Sequence, residues 1–203
     1  MGSDGDPLDL DMTSMRGRPI PAPLIVYGAA ESNLEWHNEI GGLTFDLGER
    51  YAKWNPRGNG IDLEREWQRL GWISTRHPAP KPLDWGADDD GQWMITETVP
   101  GRAAVGDKWR SRTGEAIAAI AMGLRAIHAI PIDDFPSDWP AQVWVARCPK
   151  AVGPRPPMSG PVLVHGDACI PNTLIADDGT WTGTSISAIS PSAICGQIWP
   201  SPP

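Results

Sequence analysis

His165, Gly166 and Asp167 are followed, five positions after the aspartate, by Asn172, in the stretch VLVHGDACIPNTLIADDGTWTG. An aspartate can accept or orient the proton of a hydroxyl group. An asparagine carboxamide can offer its oxygen to a magnesium ion that bridges phosphates. At this spacing the pair has the residue types that phosphoryl transfer to a hydroxyl requires. The same residues also suit a plain polar turn, because His-Gly-Asp and Pro-Asn are ordinary turn formers. The rest of the chain separates the two readings, since such a loop works only beside elements that hold phosphates and a base.

Those elements can be sought upstream. Lys53 closes the strand-like ERYAKW. IDLEREWQRLGWI places Leu63, Trp67, Leu70 and Ile73 at spacings of three and four, which predicts an amphipathic helix. A strand lysine paired with a glutamate on the next helix is how nucleotide phosphates are held in this chemistry. Glu66 fills that role, and Glu64 is also available. Either residue alone is common surface material, so their order before the HGD loop is what counts. Gly41-Gly42 suits a loop over phosphates or a simple hairpin turn equally well. GQWMITETVPG reads as a strand ending at Pro100-Gly101. Thr96, Glu97 and Thr98 would there offer backbone groups to an adenine ring.

The order of elements is β-rich first and helical later. Residues 1–23 form an acidic, then Pro- and Gly-rich lead-in without periodicity. Strands flank the Gly41-Gly42 turn, a helix follows, and further strands run to about residue 98. In SRTGEAIAAIAMGLRAIHAI the spacing puts Ile117, Ile120, Leu124 and Ile127 on one helical face, closed by Pro131. A Pro-rich stretch comes next, with one short helix expected at 141–147. Two short strands and a hairpin turn at Asp177-Asp178-Gly179 complete the reading, with the return strand starting at Trp181.

Totals exclude some classes. The chain has 203 residues and a formal net charge of -8. Acidity argues against a nucleic-acid partner and suits a cationic small-molecule ligand. Cys148, Cys169 and Cys195 are unevenly spaced and form no CxxC pair, so neither a zinc site nor a disulfide framework is indicated. A reduced, cytoplasmic location is expected, with no membrane span and no secretion signal. The 11 tryptophans are expected to pack cores rather than stack on sugars.

With these motifs together, NEIGGLTF, YAKW, LEREWQRLGWI, WMITETVPG, LRAIHAIP and VHGDACIPNTLIADDGTWTG, the chain resembles the aminoglycoside phosphotransferases and related antibiotic kinases. The resemblance runs roughly from Trp36 to Gly183. It implies an α+β, two-lobed, protein-kinase-like fold. The β-rich N-lobe would span residues 24–98, and a partial, incomplete helical C-lobe 99–183. It also implies ATP and Mg2+ as cofactors. Asp167 would be the catalytic aspartate, Lys53 and Glu66 the phosphate-binding ion pair, Thr96 to Thr98 the adenine-binding hinge, and Asn172 a magnesium ligand. The acceptor would be a hydroxyl of an aminoglycoside-like, cationic small molecule. A choline- or homoserine-like acceptor, or a catalytically inactive nucleotide-binding remnant, are the alternatives.

The chain departs from the family after Gly183. The family continues into a strand ending in Ile-Asp-Leu-Gly, whose aspartate is the second magnesium ligand, and then into a Gly-Asp-x-Trp-Ala-Asp-Leu helix. Residues 184–203 contain no Asp or Glu and show no helical or clean strand pattern. Reread one base back from Gly183, with permitted codons, the same tail yields both missing motifs. The expectation is therefore a frameshifted, non-native tail at 184–203, a truncated C-lobe and impaired transfer.

Overall fold

The structure is a computed structural model that describes residues 19–105, 107–133, 135–136, 161–165, 169–185 and 190–193. The chain divides into two compact units, Met1–Leu63 with Leu83–Thr96, and Glu64–Pro82 with Glu97–Pro203.

The first unit is a five-stranded sheet. A short helix α1 (Ala22–Ile25) starts behind Pro21, inside the expected lead-in, and buries Leu24 completely. Strands β1 (Leu34–His37), β2 (Leu43–Asp46) and β3 (Arg50–Pro56) follow and pair antiparallel in sequence. A hairpin of β4 (Pro82–Ala87) and β5 (Gly91–Glu97) completes the order β1-β2-β3-β5-β4. Period-two alternation drives the burial: Leu43 and Phe45 of β2 point inward, while Thr44 and Asp46 are only half-buried. The core combines Leu24, Phe45, Ala52 and Ile95. At about 1.5–3 kcal/mol for each large apolar side chain fully buried, such a cluster holds the sheet together. The Tyr27 hydroxyl donates to the Asp84 carboxylate, tying the segment after α1 to β4. That hydrogen bond, with burial behind it, raises the phenol pKa.

Helix α2 (Leu63–Ile73) has the expected apolar face, with Leu63, Leu70 and Ile73 buried. Its first backbone N–H, on Leu63, donates to Gln92 Oε1 at 2.8 Å. From Glu64 onward the helix belongs to the second unit. There Trp72 meets Phe135 edge-on, with ring centroids 5.1 Å apart.

The second unit also contains β6 (Arg102–Ala103), α3 (Asp107–Arg110) and α4 (Thr113–His128). Strands β7 (Pro161–Val164), β8 (Thr173–Ile175) and β9 (Trp181–Thr184) follow. β6, β8 and β9 form a three-stranded sheet in that order. The 177–179 turn joins β8 to β9, as the Asp-Asp-Gly signal predicts. The helix expected at 141–147 lies outside the described residues.

Two expectations are corrected. The face of α4 read as core was Ile117, Ile120, Leu124 and Ile127. Ile127 is buried and Ile120 and Leu124 are half-buried, but Ile117 is 61% exposed, and Ala116, Ala119 and Gly123 are buried as well. The physical reason is close approach. A Cβ on Gly123 would lie 3.0 Å from Trp181 Nε1 and 3.1 Å from Thr184 Oγ1. Small residues let the α4 backbone sit against β9 while Trp109 and Trp181 fill the remaining space. The tail, read as lacking strand order, contains β10 (Ser190–Ala193), which pairs antiparallel with β7. Ser, Pro and Ala are weak strand formers, so propensity gives no signal for it. Pro191 is tolerated because this sheet has only two strands and each is an edge.

Candidate active site

Strand β7 delivers the chain to His165, which is 1% exposed. Its Nε2 donates to the carbonyl of Ser185 at 2.9 Å. On the far side of the loop Cys169 opens a 3-10 turn, Ile170–Asn172, with Pro171 inside it. The Cys169 carbonyl accepts from Asn172 N at 3.1 Å and from Thr173 Oγ1 at 3.2 Å. The Asn172 carboxamide donates through Nδ2 to Cys169 Sγ at 3.3 Å, which orients its amide plane. The Asn172 carbonyl in turn accepts from Ser185 N at 2.9 Å. One residue, Ser185, thus bonds to the residues at both ends of the 165–172 loop, through its backbone alone. Asp167 lies outside the described residues.

The end of β9 is held equally closely. Thr184 N donates to the Pro78 carbonyl at 3.0 Å, and Thr184 Oγ1 is hydrogen-bonded to His77 Nε2 at 3.2 Å. The His77 ring also lies against Trp181, with centroids 5.4 Å apart. Gly183 has no room for a side chain: a Cβ would meet Val99 Cγ1 at 2.6 Å and the Pro78 carbonyl oxygen at 2.8 Å. A cavity of about 10 Å³ is lined by Gly123, Leu124, Ile127, Asn172, Thr173 and Thr184. It is at or below the room one water needs. Burial, helped by the neighbouring His165, pushes the His77 imidazole down to about 4, so the ring is neutral around pH 7.

Asp177 and Asp178 are committed elsewhere. Lys108 Nζ meets Asp177 Oδ1 at 2.5 Å, and Asp178 Oδ1 accepts from Thr180 N at 2.8 Å. Arg112 donates to the Asp177 and Asp178 carbonyls while pairing with Glu115. The Lys108 hydrogen bond lowers the Asp177 pKa, and the Thr180 amide lowers that of Asp178. Among the described residues no three His, Cys, Asp or Glu side chains cluster to hold a metal ion. Of the residues expected to hold magnesium, the described ones include Asn172, a neutral oxygen donor. On their own they do not fit the ion.

The remaining expected residues fall on the expected elements. Lys53 is half-buried on β3, opposite Thr44 of β2. Glu66 is buried on α2 and 7% exposed, whereas Glu64 is exposed, which favours Glu66 as the functional one of the two. Lys53 and Glu66 belong to different units. Thr96 is buried at the end of β5, and the chain passes from the first unit to the second between Thr96 and Glu97. Glu97 is exposed and pairs with Lys81 at 3.6 Å, while its N–H donates to the Lys81 carbonyl. Thr98 is half-buried. Sequence reasoning missed His77, Ser185 and the anchoring role of His165. For His77 the available signal was a histidine placed between the end of α2 and Pro78.

An antiparallel sheet, a helix and an HGD loop set between short strands define a kinase-like, α+β fold. Solved structures agree. The aminoglycoside phosphotransferase APH(3'')-Id from Streptomyces rimosus superposes with a TM-score of 0.61 at 24% identity, over 90% of this chain and 78% of that one. An aminoglycoside-3'-phosphotransferase of type VIII gives 0.52 at 19% identity, over 79% and 74%. The model of the phosphotransferase enzyme family matches residues 32–153, and the chain belongs to that family. The aminoglycoside 3'-phosphotransferase of Streptomyces fradiae is 32% identical, over 75% of this chain and 72% of that protein. The streptomycin 3''-kinase of Streptomyces griseus is 38% identical over 43% of this chain and 32% of the kinase.

Proposed function

We propose that the chain is built to transfer the γ-phosphate of ATP to a hydroxyl of an aminoglycoside. The observation that carries this is the HGD loop with Asn172 at the kinase spacing, anchored at both ends, in a chain of this family. The relatives' names supply the acceptor class: 3'-phosphotransferases and a 3''-kinase of streptomycin. A net charge of -8 favours a polycationic acceptor over an anionic one. In this reading Asp167 accepts the proton as the acceptor oxygen attacks the γ-phosphorus and ADP departs. Lys53, held by Glu66, positions the phosphates, and backbone groups of 96–98 receive the adenine. Asn172 is the residue of this chain that could offer an oxygen to a magnesium ion, a neutral donor that would not hold the ion by itself. A cytoplasmic location goes with this reading. The test is transfer from γ-labelled ATP to streptomycin and to a 3'-hydroxylated aminoglycoside, with Asp167→Ala as control. Transfer that survives in the Asp167→Ala chain overturns the reading.

A second reading is favoured by a specific observation: residues 184–203 contain no Asp or Glu, and the described residues hold no cluster of three His, Cys, Asp or Glu side chains. In that reading the chain binds nucleotide without turning it over, and the codons from 184 onward are read one base out of step. ATP should then raise the melting temperature of the chain without label transfer. A frame-restored version should transfer label; if it stays inactive while folded, the frameshift reading is discarded.

A further inference from the structure

The turn after α2 has no role in the chemistry above, yet it carries the most buried polar contacts near the loop. His77 is 5% exposed, four residues beyond the end of α2 at Ile73, to whose carbonyl its own N–H donates at 2.9 Å. Its Nε2 is satisfied by Thr184 Oγ1 at 3.2 Å. The next residue, Pro78, accepts from Thr184 N at 3.0 Å. Gly183 leaves no slack, since even a methyl group there would strike the Pro78 carbonyl. The neighbour of Thr184 is Ser185, whose carbonyl accepts from His165 Nε2 at 2.9 Å and whose N–H donates to the Asn172 carbonyl at 2.9 Å.

We propose that His77 is a positioning residue: acting through Thr184 and Ser185, it sets the spacing between His165 and Asn172, the two residues that bracket Asp167 in the motif. The chain of contacts is continuous and lies wholly within the second unit. The His77–Thr184 hydrogen bond is buried and the His165–Ser185 one part-buried, so both are made where loss of a partner is costly. A neutral imidazole suits the role, because it can bond a hydroxyl without carrying a charge into the core. Trp181, packed on the ring, fixes which way the imidazole faces. The inference rests on the phosphotransfer reading for its functional meaning, while the geometry it describes stands apart from activity.

Two measurements separate these. In the full chain, His77→Ala should raise amide hydrogen exchange at Thr184 and Ser185 by about tenfold, with exchange inside α4 and in β2 and β3 unchanged. Thr184→Val, which keeps the volume and removes the hydroxyl, should do the same if His77→Ala fails to fold. His77→Gln, which can still bond the hydroxyl, should restore protection. Where this chain itself transfers phosphate, with Thr184 and Ser185 in place, His77→Ala should lower kcat about tenfold while KM for ATP stays within about twofold. Unchanged exchange at Ser185 in both folded variants overturns the proposal. So does a uniform rise in exchange across the second unit, which would make His77 merely structural. Altered exchange in a chain with no transfer supports the positioning role and counts only against the activity.

Discussion

The 165–172 loop and the 177–179 hairpin tip are both acidic turns between short strands, and they lie within one stretch of sequence. They are held in opposite ways. The loop is anchored by His165, 1% exposed, and by backbone hydrogen bonds to Ser185. The tip is anchored by Lys108 and Asp177, whose side chains are 44% and 99% exposed. Exposed ion pairs lose most of their Coulomb energy to water and salt, whereas buried hydrogen bonds keep theirs. Acidic residues alone therefore do not mark a working site. What distinguishes the 165–172 segment is the buried anchoring of its two ends through His165 and the backbone of Ser185.

The largest expected effect breaks that comparison directly. Asp167→Ala in a transfer-competent chain should lower kcat by about 10²–10⁴-fold, whereas Asp177→Ala should leave it within about twofold. Equal losses in the two would make loop and tip equivalent. The next effect tests the support beneath the loop. Gly183→Ala should destabilise the second unit by about 2 kcal/mol in a denaturant titration, because a backbone carbonyl blocks the added methyl. A neutral outcome would show that the β9 end has slack.

A third effect is pH-dependent. His77 is held at about 4, below its unfolded value near 6.5. Between those values the unfolded chain binds the proton and the folded one does not. The stability due to neutral His77 is thus complete above pH 6.5 and lost as pH falls toward 4. The loss by pH 4.5 should be about 2 kcal/mol, facing His165 as the nearest titrating neighbour. Denaturant titrations of the parent and of His77→Gln at pH 7 and 4.5 check it, since the Gln chain should lack this component. The smallest effect belongs to the tip: Lys108→Ala should shift Tm by no more than about 2 °C, and the shift should vanish at 1 M salt.

The elements were largely legible because their patterns are local. The alternation of Leu43 and Phe45 with Thr44 and Asp46 marks β2, and the spacing of Leu63, Leu70 and Ile73 marks α2. The Asp-Asp-Gly turn likewise announces the β8–β9 hairpin. What failed was tertiary. α4 is apolar on nearly every side, so periodicity could not tell which face meets β9; the size of Trp181 decides that Gly123 does. β10 could not be read because it exists only through pairing with β7. At the site, His165 and Asn172 were visible as a motif. Their common anchor, Ser185, was not, because backbone groups leave no trace in residue type.

That last point bears on how this stretch tolerates drift. Ser185 bonds the loop through its N–H and C=O only, and every residue but proline carries the same two groups. Substitutions at position 185 can accumulate without unseating His165 or Asn172. The support is written in chain geometry rather than in side chains, so the loop's footing can outlast the sequence that first accompanied it.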